Sequence, residues 1–285
     1  MIPVVPILIA GAAAVTGLVT GQRRWTARGR ALETALLTAR QQAAERRLPA
    51  GFLSGLPGPV GGWLSQVMAA GAPVVESVEL SQEGEFDTAA AGPGPPRWAP
   101  CTARQLVVTQ RPGFLWDARI ALRRGLALRV RDGYVAGEGV LEAALGGAVT
   151  ILRARASAEI ARAELMRFLA EAALYPTALL PSAGVRWVEG GQRSAIATLV
   201  DGNLRASVQF RFGASGMLES VYADARGRPS GKSVEILPWE GRWQQWQQRG
   251  PFLVPVEGEA AWITAEGRRP YWRGRITEIR HAPAG

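Results

Sequence analysis

The stretch ASAEIARAELMRFLAEAALYPTALLP, residues 156–181, decides the reading of the fold. It is the one strong helix signal inside the folded part, with strand-like segments on both sides. Ser157 is placed to cap it, and Glu159 lies in the first turn, where a negative charge opposes the helix dipole. Ala161, Leu165, Phe168, Ala172 and Tyr175 recur at spacings of three and four, forming an apolar stripe. Met166, Leu169 and Ala173 widen it. Glu164, Arg167 and Glu171 form a narrow polar stripe beside it. A helix this apolar around its circumference is expected to be covered on two sides. Pro176 ends it, because its ring clashes with the preceding turn. Thr177 then caps a short second helix that Pro181 closes.

Outward from this helix the pattern is that of strands. Before it they are expected at 74–86, 104–110, 114–122, 126–135 and 137–145, with 146–155 as an extension. After it they are expected at 185–189, 193–201, 204–212, 217–225, 233–249, 253–264 and 271–281. In 114–122, Phe114, Trp116, Ala118, Ile120 and Leu122 point one way, and Leu115, Asp117 and Arg119 point the other. Residues 204–212 alternate as cleanly. Short loops between successive strands argue for an antiparallel meander, since parallel pairs need long crossovers. A sheet of about ten strands curls or closes. The expected class is α+β: a large curved, half-barrel-like antiparallel sheet packed against the central helix, spanning 55–285.

The N-terminal end reads differently. Ile2–Gly21 carries no charged side chain and is long enough to span a bilayer as a helix. No basic residue precedes it, whereas Arg23, Arg24, Arg28 and Arg30 follow closely and Trp25 suits the membrane interface. A retained transmembrane anchor over 1–21 is therefore expected in preference to a cleaved signal peptide. The arginine asymmetry puts the bulk of the chain on the cytoplasmic side of the cell membrane. Gly17 and Gly21 form a GxxxG pair, but in an Ala/Gly-rich stretch that spacing arises by chance and sets no oligomeric state. Residues 22–54 are expected as a basic juxtamembrane helix, over 26–48, and a Gly/Pro-rich linker. Membrane lipids are the expected partners there, since basic residues attract anionic headgroups. A short helix over 59–69 follows.

Charge and composition narrow the chemistry. The net charge is +9, and residues 22–50 alone hold seven arginines against two glutamates. The rest of the chain is much less basic, so there is no general nucleic-acid footprint. Lys232 is the one lysine among 33 basic side chains, a skew that genome base composition produces. His281 is the single histidine and Cys101 the single cysteine. A His/Cys metal site, a Ser-His-Asp triad and an internal disulfide are excluded within one chain. No phosphate-binding loop or dinucleotide fingerprint occurs, so no cofactor is expected.

What remains is carboxylate and arginine chemistry. Asp117 and Arg119 share one strand face, and Glu164, Arg167 and Glu171 share one helix stripe. If helix and strand face meet there, a buried charge network results, either an ordinary structural ion-pair cluster or a functional site. Trp116, Tyr175 and Trp239 are further candidates. On a strand, Trp239 and Trp243 share a face while Trp246 points away. The ten tryptophans either fill the core or wall a groove for an apolar ligand.

WAPCTARQ (98–105), RPGFLWDARI (111–120), RDGYVAGEG (131–139), ELMRFLAEAALYPTALLP (164–181), PWEGR (238–242) and PYWRGRITEIR (270–280) resemble an uncharacterised bacterial domain-of-unknown-function family. The resemblance covers residues 55–281 and implies no catalytic residues, because the family has no assigned activity. Cys101 stands where an aromatic is usual, and Leu174 where tryptophan is. More loosely, Glu240 to Arg280 resembles the half-barrel of lipoprotein-carrier proteins, in which a twisted sheet shelters acyl chains. Together with the anchor expected at the N-terminal end, the first expectation is a membrane-anchored binding protein whose curved sheet holds a lipid or other apolar ligand, or docks a partner. Lipoprotein carriers are exported, however, whereas the arginines here point to the cytoplasm. The alternative is a carboxylate-dependent hydrolase using Asp117, Glu164 or Glu171.

Overall fold

The computed structural model describes residues 4–285 except Ala91, Pro93, Arg124, Arg155, Ala156, Gly231 and Lys232; for 4–15 and Ser230 it describes the backbone alone. Three α-helices are present, α1 (Val4–Ala39), α2 (Gly58–Val67) and α3 (Ala158–Glu171). The strands before α3 are β1 (Val75–Asp87), β2 (Trp98–Val108), β3 (Gly113–Arg123), β4 (Leu126–Val135), β5 (Glu138–Leu145) and β6 (Val149–Arg153). Those after it are β7 (Arg186–Gly191), β8 (Ser194–Asp201), β9 (Leu204–Phe212), β10 (Leu218–Ser230), β11 (Ser233–Arg249), β12 (Phe252–Thr264) and β13 (Gly267–Pro283).

All thirteen strands join one sheet in the order β6-β5-β4-β3-β2-β1-β13-β12-β11-β10-β9-β8-β7. Each pairing is antiparallel. The sheet thus consists of two meanders, or wings, joined at the β1–β13 seam. Helix α3 is the single crossover between them. It touches β4 and β5 of the first wing and β9 and β10 of the second, so the sheet curls around it. Across the opening, the Tyr134 hydroxyl of β4 donates to Asp201 at the end of β8 at 2.8 Å. Gly84, Gly274 and Gly258 stand opposite one another on β1, β13 and β12. A Cβ on Gly84 would lie 2.1 Å from the Arg273 carbonyl oxygen, so no other residue fits there.

The core lies on the concave side. Ser157 caps α3 by accepting from the Ile160 N–H, as the sequence indicates. Leu165, Phe168 and Leu169 are fully buried against the sheet. Beyond Glu171 the chain tightens into 3-10 turns over Ala172–Leu174, Pro176–Leu179 and Pro181–Ala183 in place of a second α-helix. Helix α2 plugs the second wing: Trp63 packs on Phe210, Phe212 and Trp246 with ring centroids 5.8–6.2 Å apart. Trp246 therefore points inward, against the simple alternation. Gln245 adopts a left-handed backbone with φ 56°, while the register with β12 is the same on both sides of it, Gln244 facing Glu257 and Trp246 facing Pro255.

The convex side of the first wing is covered too. Leu32 and Leu36 of α1 pack on Val108, Leu115, Val135 and Val140. Arg28 of α1 pairs with Glu142 at 2.6 Å. Gly21 and Gly29 permit this approach, since a Cβ on Gly21 would meet the Ala148 carbonyl oxygen at 2.2 Å and one on Gly29 the Arg131 guanidinium at 2.5 Å. Gly21 of the GxxxG pair thus serves contact within the chain. The helix expected over 26–48 ends at Ala39; the Gln41 N–H then donates to the Gln110 carbonyl and Arg47 bridges Pro73, so the chain turns along the sheet instead. The anchor expected over Ile2–Gly21 falls largely outside the described side chains. Among the described residues, no helix is long and apolar enough to cross a membrane.

Candidate functional site

Two charged clusters lie on opposite faces of the first wing. The inner one forms because four strands each place one polar side chain at a position whose alternation faces the core. These are Gln82 on β1, Gln105 on β2, Asp132 on β4 and Arg226 on β10. Helix α3 lays its polar stripe over them. Arg167 donates through Nε to Glu171 at 2.6 Å and through an Nη to Asp132 at 2.7 Å. Glu171 also accepts from Gln105 at 2.6 Å, Gln105 accepts from Gln82, and Gln82 accepts from the Trp116 indole N–H at 2.8 Å. On the other side of the helix, Arg226 donates to the Ala163 carbonyl at 3.0 Å and to Glu164 at 3.3 Å. Tyr271 accepts from Arg226 and from the Trp239 indole at 3.0 Å. The guanidinium of Arg167 lies 4.9 Å from the Phe114 ring centroid and 5.2 Å from that of Trp116; Arg226 lies 5.0 Å from that of Trp239. The result is a continuous polar belt from β3 under α3 to β11.

Its electrostatics are uneven. Burial works against the charge of Arg167, but Glu171, Asp132 and Glu164 more than offset it and raise its pKa. Glu164 goes the other way: burial, with Asp132 beside it, pushes its carboxyl up to about 8 despite Arg226 and Arg167. Oδ1 of Asp132 and Oε2 of Glu164 are both buried without a donor. Burial and the neighbouring Asp132 thus both favour the protonated form of Glu164. Tyr175 lies close by, but its hydroxyl donates to the Phe168 carbonyl at 2.8 Å and its ring packs on Phe168.

The outer cluster lines a groove of about 690 Å³ between α1 and the convex face of β13, β1, β2, β3 and β4. Asp117 sits at its centre, bonded to Arg129 at 2.8 Å and Arg131 at 2.9 Å. Arg131 is buried, donates to the Trp25 carbonyl and lies 4.1 Å from the Trp25 ring centroid, which ties α1 to the groove. Arg30, Arg104 and Arg119 complete the basic wall. A second groove, of about 480 Å³, follows the row of Gly84, Gly274 and Gly258 on the convex face.

The sequence profile of a family of unknown function, DUF6920, matches residues 54–281. The chain belongs to that family. Among solved structures, the DUF6920 chain is similar to a LolA superfamily protein from Nitrosomonas europaea, at 9% identity over 73% of this chain and 88% of that one, with a TM-score of 0.28. No curated protein matches it.

The structure brings together part of the expected network. Glu164, Arg167 and Glu171 do join a buried belt with Trp116, and Trp239 closes its far end through Tyr271. Asp117 and Arg119 are not in it. The helix packs on the Phe114/Trp116 face of β3, and alternation puts Asp117 and Arg119 on the other. Asp132, Gln82, Gln105 and Arg226 were missed. Each is a polar residue at an apolar beat of its strand, a signal that the alternation carries. Cys101 is buried, and burial pushes its thiol up to about 11. Among the described residues, no group of His, Cys, Asp and Glu could hold a metal ion.

Proposed function

We propose that this DUF6920 chain is a membrane-anchored binding protein whose domain is held at the cytoplasmic membrane surface and engages lipid through its convex side. The observation that carries the reading is α1 itself. One helix runs from Val4 to Ala39, and from Trp25 onward it is clamped to the sheet by Leu32, Leu36 and the Arg28–Glu142 pair. An apolar anchor built into that helix fixes the domain's pose on the bilayer. Where α1 leaves the sheet, at Gly21 against Ala148, the neighbouring sheet end exposes Leu122, Val149 and Ile151. Arg23 and Arg24 flank the same end, a pattern that suits an anionic surface.

The ligand's place shifts from the one the sequence suggests. The concave face is filled by α2, α3 and the 3-10 turns, so an apolar guest there would have to displace Leu165, Phe168 and Trp63, all fully buried. The hydrolase alternative needs its carboxylates in one accessible place. Glu164 and Glu171 face the sealed belt and Asp117 the opposite side of the sheet, which favours binding over catalysis.

Fractionation tests this reading. The full chain is expected in the membrane pellet, resistant to carbonate and released by detergent. Green fluorescent protein fused after Gly285 should fluoresce, and alkaline phosphatase fused there should be inactive. A soluble chain, or the reverse fusion result, overturns it.

A further inference from the structure

The outer groove holds a charge pattern that its own carboxylates do not balance. On the sheet, Arg104 stands opposite Asp117, Asp117 opposite Arg131, and Arg119 opposite Arg129. Like charges directly opposite across strands are destabilising, and Asp117 is already bonded to Arg129 and Arg131. At the other end of the groove the acids are taken up locally: Glu79 and Glu278 pair with Arg280, and Glu83 with Arg275. That leaves Arg30, Arg104 and Arg119, all exposed and with no carboxylate in reach among the described residues, against the single unpaired lining carboxylate of Glu33. Arginine's planar fork suits the oxygens of a phosphate.

The location adds a second, independent argument. The Arg119–Arg129 row lies close to the sheet end that exposes Leu122, Val149 and Ile151 and from which α1 departs. Trp25 lines the groove at its α1 side, buried with its ring under the Arg131 guanidinium. A head group lying at the level of these arginines would have its acyl chains directed at the exposed apolar rim. Thr102, opposite Arg119 on β2, adds a neutral hydroxyl donor.

We propose that the groove between α1 and the convex face binds the phosphate-bearing head of an anionic phospholipid, with Arg104 and Arg119 as its principal ligands and Arg30 closing the α1 side. The proposal deepens the membrane reading above and rests on it for its choice of ligand.

The test uses the full chain in a neutral detergent, titrated at low salt with short-chain phosphatidylglycerol, short-chain phosphatidylcholine and inorganic phosphate in separate arms. Phosphatidylglycerol is expected to bind about tenfold or more tightly than phosphatidylcholine, and Arg104→Ala/Arg119→Ala to erase the difference. Arg119→Lys should restore part of it, and the melting temperature of the double variant should stay near the wild type, because neither side chain has a partner to lose. Equal affinity for the two lipids, or an undiminished preference in the double variant, overturns the proposal. Inorganic phosphate binding as tightly as phosphatidylglycerol shows a soluble-anion site and overturns the lipid assignment. Failure here is separable from failure of the membrane reading: a chain that pellets with membranes yet shows no head-group preference sinks this site alone. A soluble chain sinks the anchor whatever the titration gives.

Discussion

Asp132 and Arg131 are neighbours in sequence and belong to different worlds. Asp132 points into the belt beneath α3, where Arg167, Gln105, Glu171 and Arg226 link side chain to side chain in a nearly closed circuit. Arg131 points into the groove beneath α1, where the basic side chains outnumber the free carboxylates. The residue types are the same and the sheet is the same. What differs is closure. A charge sealed between a helix and a sheet must be matched, because desolvation is costly and no solvent can screen it. A charge in an open groove is free to stay unmatched and await a ligand. Burial with extensive pairing thus marks structure, and exposure with surplus marks recognition.

The largest expected effect tests the sealed side. Arg167→Met removes the partner of both Glu171 and Asp132 while keeping the bulk, and should destabilise the domain by about 3–5 kcal/mol in denaturant unfolding. A loss under about 1 kcal/mol would show that the belt is not a matched circuit. Phe168→Ala, beside it on the same helix, should cost a similar 3–5 kcal/mol, roughly, through the cavity it leaves; a much smaller loss would place the apolar stripe elsewhere.

The next effect is on pH dependence. The folded-state pKa of Glu164 is raised to about 8 from an ordinary value of 4.5. The native state therefore binds more protons than the unfolded state between those values. The contribution of this group is fully present below about 4.5 and is lost as pH rises through about 8. Compared with the wild type, Glu164→Gln should lack the fall in stability between pH 5 and 8, measured by unfolding at several pH values. Parallel pH curves for the two proteins would mean that the Glu164 carboxyl is not raised by its burial. On the open side the effect is small: Arg119→Ala should change stability by less than about 0.5 kcal/mol, and a larger loss would make the groove structural after all. Smallest of all, Cys101, buried and with its thiol raised, should resist a soluble disulfide reagent at pH 8 until the domain is unfolded.

Much of the architecture could be read in advance, because it follows from local periodicity. The alternation of β3 and β9 and the apolar stripe of α3 each appear where the residues place them. The errors come from non-local or single-residue effects. Trp246 is turned onto Trp63 beside a single left-handed residue, Gln245, which no periodicity announces. The juxtamembrane helix stops nine residues early because residues 40–48 find partners on Gln110, Glu76 and Pro73. For the site, the helix half of the belt was legible, since Glu164, Arg167 and Glu171 border the apolar stripe. The strand half was assigned to the wrong face. A helix that lays Arg167 over the Phe114 and Trp116 rings cannot also reach Asp117, one pleat away. The right partners, Asp132 and Gln105, were recognisable only by asking which polar residues share the beat of apolar ones. The groove was not legible, because it needs α1 laid across the sheet.

The β1–β13 seam has a consequence for how the chain is made. Val75 pairs with Pro283, so the second strand to flank β1 is made after every other strand of the sheet. Each wing is a run of hairpins that can form while synthesis proceeds, but the seam requires both. Until then β1 presents an open edge, a template for pairing with other chains. The union of the halves also spans the greatest sequence separation in the sheet, so it should be the slow step of folding. Loss of even the last strand would leave two half-built meanders with no seam to join them.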